Sequence, residues 1–143
     1  MKAIGIFRAL VVCLLSTTVA MQGQSKKITL KVLQFNIWQE GTKIPNGFQA
    51  IIDEIIHTQA DLIALSEVRN YNNTNLNERM VVALKERGYH YYSLKSEDSG
   101  ILSKYPILAQ TAVYPLQDDH GSVTKALIDV KGTTIAFYSG HLD

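Results

Sequence analysis

The chain has 143 residues, with 46% hydrophobic and 19% charged side chains and a formal net charge of +1. This length sets one domain as the expectation, and the composition excludes an intrinsically disordered protein. Near-zero charge argues against a general polyanion binder, which carries a basic excess, and leaves a small charged substrate or one localised basic spot.

The first twenty residues read as a leader. Lys2 and Arg8 make a basic start, Ala9-Leu-Val-Val-Cys-Leu-Leu15 is a short apolar core, and Thr18-Val19-Ala20 offers small residues for cleavage. That is the pattern of a secretory signal peptide over residues 1–20, too short to span a membrane. A lipoprotein signal with Cys13 as the modified residue is the rival. Bulky Val11 and Val12, and the mid-core place of Cys13, count against it. Removal of the leader takes Lys2 and Arg8 with it and leaves acidic side chains in excess by one. It also removes the single cysteine. An exported protein, periplasmic or secreted, with no disulfide and no transmembrane segment is expected. Residues 21–27 form a short lead, and residues 28–143 form the domain.

Ile28 to Phe35 alternates as a half-buried strand. Pro45-Asn46-Gly47 is a turn signal before Phe48 to Gln59, where Phe48, Ile51, Ile52, Ile55 and Ile56 follow the spacing of an amphipathic helix. Leu62-Ile-Ala-Leu65 is an apolar run expected to form a strand buried on both faces. The polar loop Asn70–Asn75 follows. A second helix is predicted from Leu76 to Arg87, with Met80, Val81 and Leu84 on one face and Gly88 as its stop.

Five strands are then expected in quick succession: Tyr89 to Leu94, Gly100 to Leu102, Ile107 to Tyr114, Thr124 to Val130, and Thr134 to Ser139. Lys131-Gly132 is the predicted hairpin turn between the last two. Strand–helix–strand–helix followed by hairpin strands predicts an α/β protein with a mixed β-sheet and flanking helices. A final strand carrying Ile135, Ala136 and Phe137 leaves an apolar edge that proteins usually cover. The expectation is therefore half of a larger layered structure.

Polar side chains collect at the strand ends. Asn36 follows the first strand, Glu67 the second, and His141 and Asp143 the last. An amide oxygen and a carboxylate are hard ligands suited to Mg²⁺ or Mn²⁺, and two parallel neighbouring strands would bring them to one sheet edge. The competing reading makes Asn36 a turn cap and pairs Glu67 with Arg69 or solvent. A strand-end histidine at 141 can act as acid or base near neutral pH, or simply hold a backbone partner. Arg69 presents a planar fork for a phosphate, or neutralises Glu67. His57, His90 and His120 read as ordinary helix, strand and loop residues. Trp38, Tyr71, Tyr91 and Tyr92 are candidates for stacking on a base or sugar, against the commoner role in a core or sheet face.

Taken together, Leu33-Gln-Phe-Asn-Ile-Trp38, Leu65-Ser-Glu-Val-Arg69, Ser99-Gly-Ile-Leu-Ser-Lys-Tyr-Pro-Ile107 and Gly140-His-Leu-Asp143 resemble four successive motifs of the endonuclease/exonuclease/phosphatase superfamily. The resemblance implies half of a four-layer α/β sandwich. It also implies a Mg²⁺- or Mn²⁺-dependent hydrolase of phosphate mono- or diesters, acting on a nucleotide, nucleic acid, phospholipid headgroup or sugar phosphate. Asn36 and Glu67 match the first two metal-site positions, and His141 matches the histidine beside the scissile phosphate. Arg69 is similar to a phosphate contact of the deoxyribonuclease branch. Asp143 carries no role. The superfamily's later Gly-Asp-Phe-Asn-type and Ser-Asp-His-type elements do not occur, so an incomplete and inactive N-terminal portion is expected. The alternative is a non-catalytic ligand-binding module that retains the fold. Substrate identity and oligomeric state are not legible.

Overall fold

The computed structural model describes residues 27–117 and 121–142. The predicted leader, most of the lead segment, His120 and Asp143 lie outside these residues. Among the described residues, no helix is long and apolar enough to cross a membrane.

The elements in chain order are β1 (Val32–Asn36), α1 (Gly47–Thr58), β2 (Leu62–Val68), α2 (Leu76–Glu86), β3 (Asp98–Ser103), β4 (Ile107–Tyr114), β5 (Gly121–Val130) and β6 (Thr133–Leu142). They make two three-stranded sheets, ordered β1-β2-β3 and β4-β5-β6. The first is mixed, since β1 runs parallel to β2 and β3 antiparallel to it. The second is an antiparallel meander.

Alternation along β2 explains the layering. Ile63, Leu65 and Val68 pack with Ile51, Ile52 and Ile55 of α1 and Leu76, Met80 and Leu84 of α2 in one apolar core. Leu62, on the opposite face, joins Ile101 of β3 and Ala126, Ile128 and Val130 of β5 in a second core between the sheets. Side chains two apart share a face, so a strand apolar at every position serves two cores at once. Helices, first sheet and second sheet are therefore three stacked layers of the α/β sandwich.

Local signals set the element ends. Gly47 opens α1 where its backbone crosses that of Gly41, and a Cβ at either position would collide with the other. Asn75 caps α2 by accepting from the Glu78 amide at 3.3 Å. Lys131 and Gly132, both at positive φ, turn β5 into β6 as predicted.

Three expectations are corrected. Ile28 to Lys31 are not in a strand, because the Asp61 carboxylate takes the Lys31 amide at 2.9 Å and the Lys31 carbonyl takes the Asp61 amide at 2.7 Å. Tyr89 to Leu94 contributes only one bridge, Tyr92 to Ser103. Its side chains bond elsewhere instead, with Tyr91 Oη donating to the Ala60 carbonyl and Ser93 Oγ to the Ile101 carbonyl, each at 2.6 Å. β4 has the predicted bounds, but β3, β5 and β6 are longer than predicted, so Ser122, Gly140 and His141 lie within β5 and β6 rather than in loops.

Candidate active site

The C-terminal ends of β1 and β2 lie with the N-terminal end of β3, and that of β6 with the N-terminal end of β5; bonds from Asp98 to Ser122 and His141 bring both sets to one end of the sandwich. Two clusters of polar side chains form there.

The first joins Asn36 and Glu67. Asn36 Nδ2 donates to Glu67 Oε1 at 2.8 Å. Its Oδ1 accepts from the Trp38 amide at 2.8 Å, while Glu67 Oε2 accepts from the Gln39 amide at 2.8 Å. Asn36 thus caps its turn, as one of the two readings had it, and contacts Glu67 as well. Glu67 is the extra residue of a β-bulge between Ser66 and Val68, at φ 69. The bulge removes it from the two-residue alternation and re-aims its side chain.

This strained backbone extends through the turn beside it. Trp38, Gln39 and Glu40 hold φ 42, 53 and 60, conformations that cost of order 1–3 kcal/mol each for residues with a Cβ. The amides of Trp38 and Gln39 offset that cost by bonding to Asn36 and Glu67. Glu40 offsets it too. Its carboxylate is buried, accepts from the amides of Arg69 at 3.1 Å and Tyr71 at 3.4 Å, and pairs with Arg79 Nη1 at 3.4 Å. Arg79 in turn lies over the Phe48 ring, 4.7 Å from its centroid.

The second cluster centres on Asp98, which is completely buried and sits at φ 61 opposite Val68, on the far side of the same bulge. Asp98 Oδ1 lies 2.9 Å from His141 Nδ1 and 3.0 Å from Arg69 Nη1. Its other oxygen, Oδ2, accepts from Ser122 Oγ at 2.8 Å. A buried carboxylate survives only when paired and hydrogen-bonded, and this one is served on both oxygens. Since an ionised carboxylate only accepts, the His141 proton on this contact sits on Nδ1.

Arg69 therefore pairs with Asp98, not with Glu67 as the competing reading had it. His57 and His90 are exposed and outside both clusters. Of the aromatics, Tyr91 is buried, whereas Trp38, Tyr71 and Tyr92 are exposed. Trp38 and Tyr71 border the first cluster through the Trp38 amide and through Tyr71 Oη, which donates to Gln39 Oε1 at 3.0 Å.

The donor set decides which cation these residues suit. Among the described residues no three or more His, Cys, Asp or Glu converge as a metal site. Asn36 and Glu67 offer one amide oxygen and one carboxylate, each with lone pairs beyond the hydrogen bonds they accept. These hard oxygen donors fit a cation that keeps several waters, as Mg²⁺ and Mn²⁺ do.

Residues 33–141 match the Endonuclease/Exonuclease/phosphatase family. The chain belongs to it. This is a phosphohydrolase family whose members generally use divalent metals. An uncharacterised protein of Caenorhabditis elegans is 29% identical over 118 residues, which cover 80% of this chain and 34% of that protein. A crystal structure of humanized D. rerio TDP2 superposes with a TM-score of 0.59 at 18% identity, over 80% of this chain and 47% of that one. ANGEL2, a 2′,3′-cyclic phosphatase crystallised with adenosine-2′,3′-vanadate, gives a TM-score of 0.54 at 20% identity, over 79% and 41%. These structures are similar in fold, and the chain spans less than half the length of each relative.

Proposed function

We propose that this chain carries part of the active site of a Mg²⁺- or Mn²⁺-dependent hydrolase of phosphate mono- or diesters, with Asn36 and Glu67 as cation ligands. The observation that supports it most is the 2.8 Å contact between these two side chains, with Glu67 set out of the strand by a left-handed bulge. Backbone strain of this kind persists where surrounding structure over-determines it, and it clusters at functional sites.

When bound, the cation supplies charge neutralisation at a phosphate oxygen. The protein's residues do the rest. Trp38 and Gln39 amides fix both ligands, so little reorganisation is needed on binding. Asp98 holds the His141 ring by Nδ1 and so sets its orientation. His141 acts as general acid or base at the phosphate or its leaving oxygen. Arg69, anchored by one nitrogen to Asp98, presents the remaining donors of its fork to the phosphate. A nucleotide, nucleic acid, phospholipid headgroup or sugar phosphate offers the same phosphoryl centre. Residues 1–20 support an exported location. With one carboxylate and one amide at the cation, turnover of bis-p-nitrophenyl phosphate by this chain alone is proposed to stay at background.

Titration of the ¹⁵N-labelled chain with Mn²⁺ tests the ligand pair directly. Paramagnetic broadening is expected at the amides of Asn36 and Glu67 before any other, and Glu67→Gln should abolish it while leaving the remaining spectrum in place. Unbroadened signals at both positions would overturn the proposal.

A further inference from the structure

The seam between the two sheets changes character along its length. At one end it is aliphatic, with Leu62, Ile101, Ile128 and Val130. At the site end it is built of hydroxyls, and Ser99, Ser122, Thr124 and Ser139 are all buried. Burying hydroxyls costs free energy unless they bond, so a row of them beside one buried carboxylate calls for a reason.

The bonds supply it. Ser122 Oγ lies 2.8 Å from Asp98 Oδ2 and 2.7 Å from Ser99 Oγ. A serine has one hydroxyl proton, and an ionised carboxylate can only accept, so the Ser122 proton goes to Asp98. The proton between Ser122 and Ser99 then comes from Ser99. Behind them Thr124 Oγ1 donates to the Ser99 carbonyl at 3.0 Å and lies 3.0 Å from Ser99 Oγ. The Ser99 and Ser122 protons both run toward Asp98, and such chains polarise one another in a low-dielectric interior.

We infer that Ser122, backed by Ser99, is a positioning residue for the Asp98–His141 pair. By occupying Oδ2 it commits Oδ1 to His141 Nδ1 and Arg69, and so fixes which ring nitrogen of His141 carries the proton. Sheet register reinforces this, because Ser122 is also the direct ladder partner of His141. The catalytic meaning of the role rests on the hydrolase reading, but the role itself is a property of the folded chain.

The ¹⁵N ring resonances of His141, recorded with the imidazole neutral, read the tautomer. The wild-type chain is expected to show the Nδ1–H form. Ser122→Ala should lose that preference and give a mixture. Ser139→Ala, which removes a buried hydroxyl bonded to the Leu65 carbonyl at 2.8 Å, should keep it. Ser99→Ala leaves Ser122 in place and should shift the ratio less, in the same direction, so it decides the matter if Ser122→Ala fails to fold. An unaltered Nδ1–H tautomer in folded Ser122→Ala, or in Ser99→Ala where Ser122→Ala does not fold, overturns the inference. Loss of Mn²⁺ broadening at Glu67 with the tautomer effect intact would sink the hydrolase reading and leave this one standing.

Discussion

The aliphatic and hydroxyl ends of the inter-sheet seam use the same strands, β3 and β5, for opposite purposes. At the aliphatic end, Ile101 and Ile128 gain stability in proportion to the apolar area they remove from water, without any directional demand. At the hydroxyl end, Ser99, Ser122 and Thr124 give up that gain for bonds with fixed directions. Non-directional burial can hold two sheets together. Only directional bonds can hold a carboxylate oxygen to a fraction of an ångström, and the fold places them where Asp98, Arg69 and His141 meet.

Mutations at the two ends should therefore cost similar free energy and differ in what else they disturb. Asp98→Ala, at the directional end, removes the acceptor for Arg69, His141 and Ser122. Breaking a buried charged network in this way is expected to cost about 3–5 kcal/mol. Chemical shifts of Arg69, Ser122 and His141 should move together, as urea unfolding and a ¹⁵N spectrum would register. A loss below about 1 kcal/mol would mean the cluster is solvated rather than buried.

Ile128→Ala, at the aliphatic end, is expected to cost about 2–5 kcal/mol through lost transfer energy and the cavity left behind. The shifts of Asp98 and His141 should stay in place. If they moved as far as in Asp98→Ala, the two ends would not be separable and the contrast would fail.

The smallest effect concerns Tyr91, beneath the helices. Burial, then the charge of Asp61, then Tyr89, push its phenol up from 10.0 to about 12. A folded-state value above the unfolded one means that the native state prefers the protonated phenol. This contribution to stability is whole below the unfolded value of 10.0 and is lost as pH rises toward about 12. Tyr91→Phe should start less stable by about 1 kcal/mol, having lost the bond to Ala60. Its urea midpoint should then fall less than the wild-type midpoint between about pH 9 and about pH 11. Parallel falls would show that Tyr91 does not titrate differently in the folded chain.

Much of this could be read along the chain. The isoleucine spacing of residues 48–56 gave α1, the uninterrupted apolar run gave β2 with both faces buried, and Lys131-Gly132 gave the hairpin. Asn36, Glu67, Arg69 and His141 stood out because polar groups that end apolar strands break a local pattern. Asp98 escaped notice for a physical reason. Local pattern marks the C-terminal ends of strands, but β3 runs antiparallel to β2, so its first residue lies at the edge where β2 ends. Glu40 carries no local signal because its partners are remote in the chain, Arg79 lying 39 positions away. Ser122 was assigned to a loop because nothing local separates a serine in a turn from one entering a long strand.

The sequence by itself determined the periodicities, and through them the helices, most strands and the family likeness, since hydrophobic spacing and strand-end chemistry act over a few neighbouring residues. Tertiary structure alone decided that Arg69 turns to Asp98 instead of Glu67, that Glu67 leaves its strand on a bulge, and that three hydroxyls stand behind one carboxylate. Those outcomes depend on register between strands far apart in the chain. A hairpin turn sets register between neighbouring strands, but which face each distant strand buries is settled only when the layers pack.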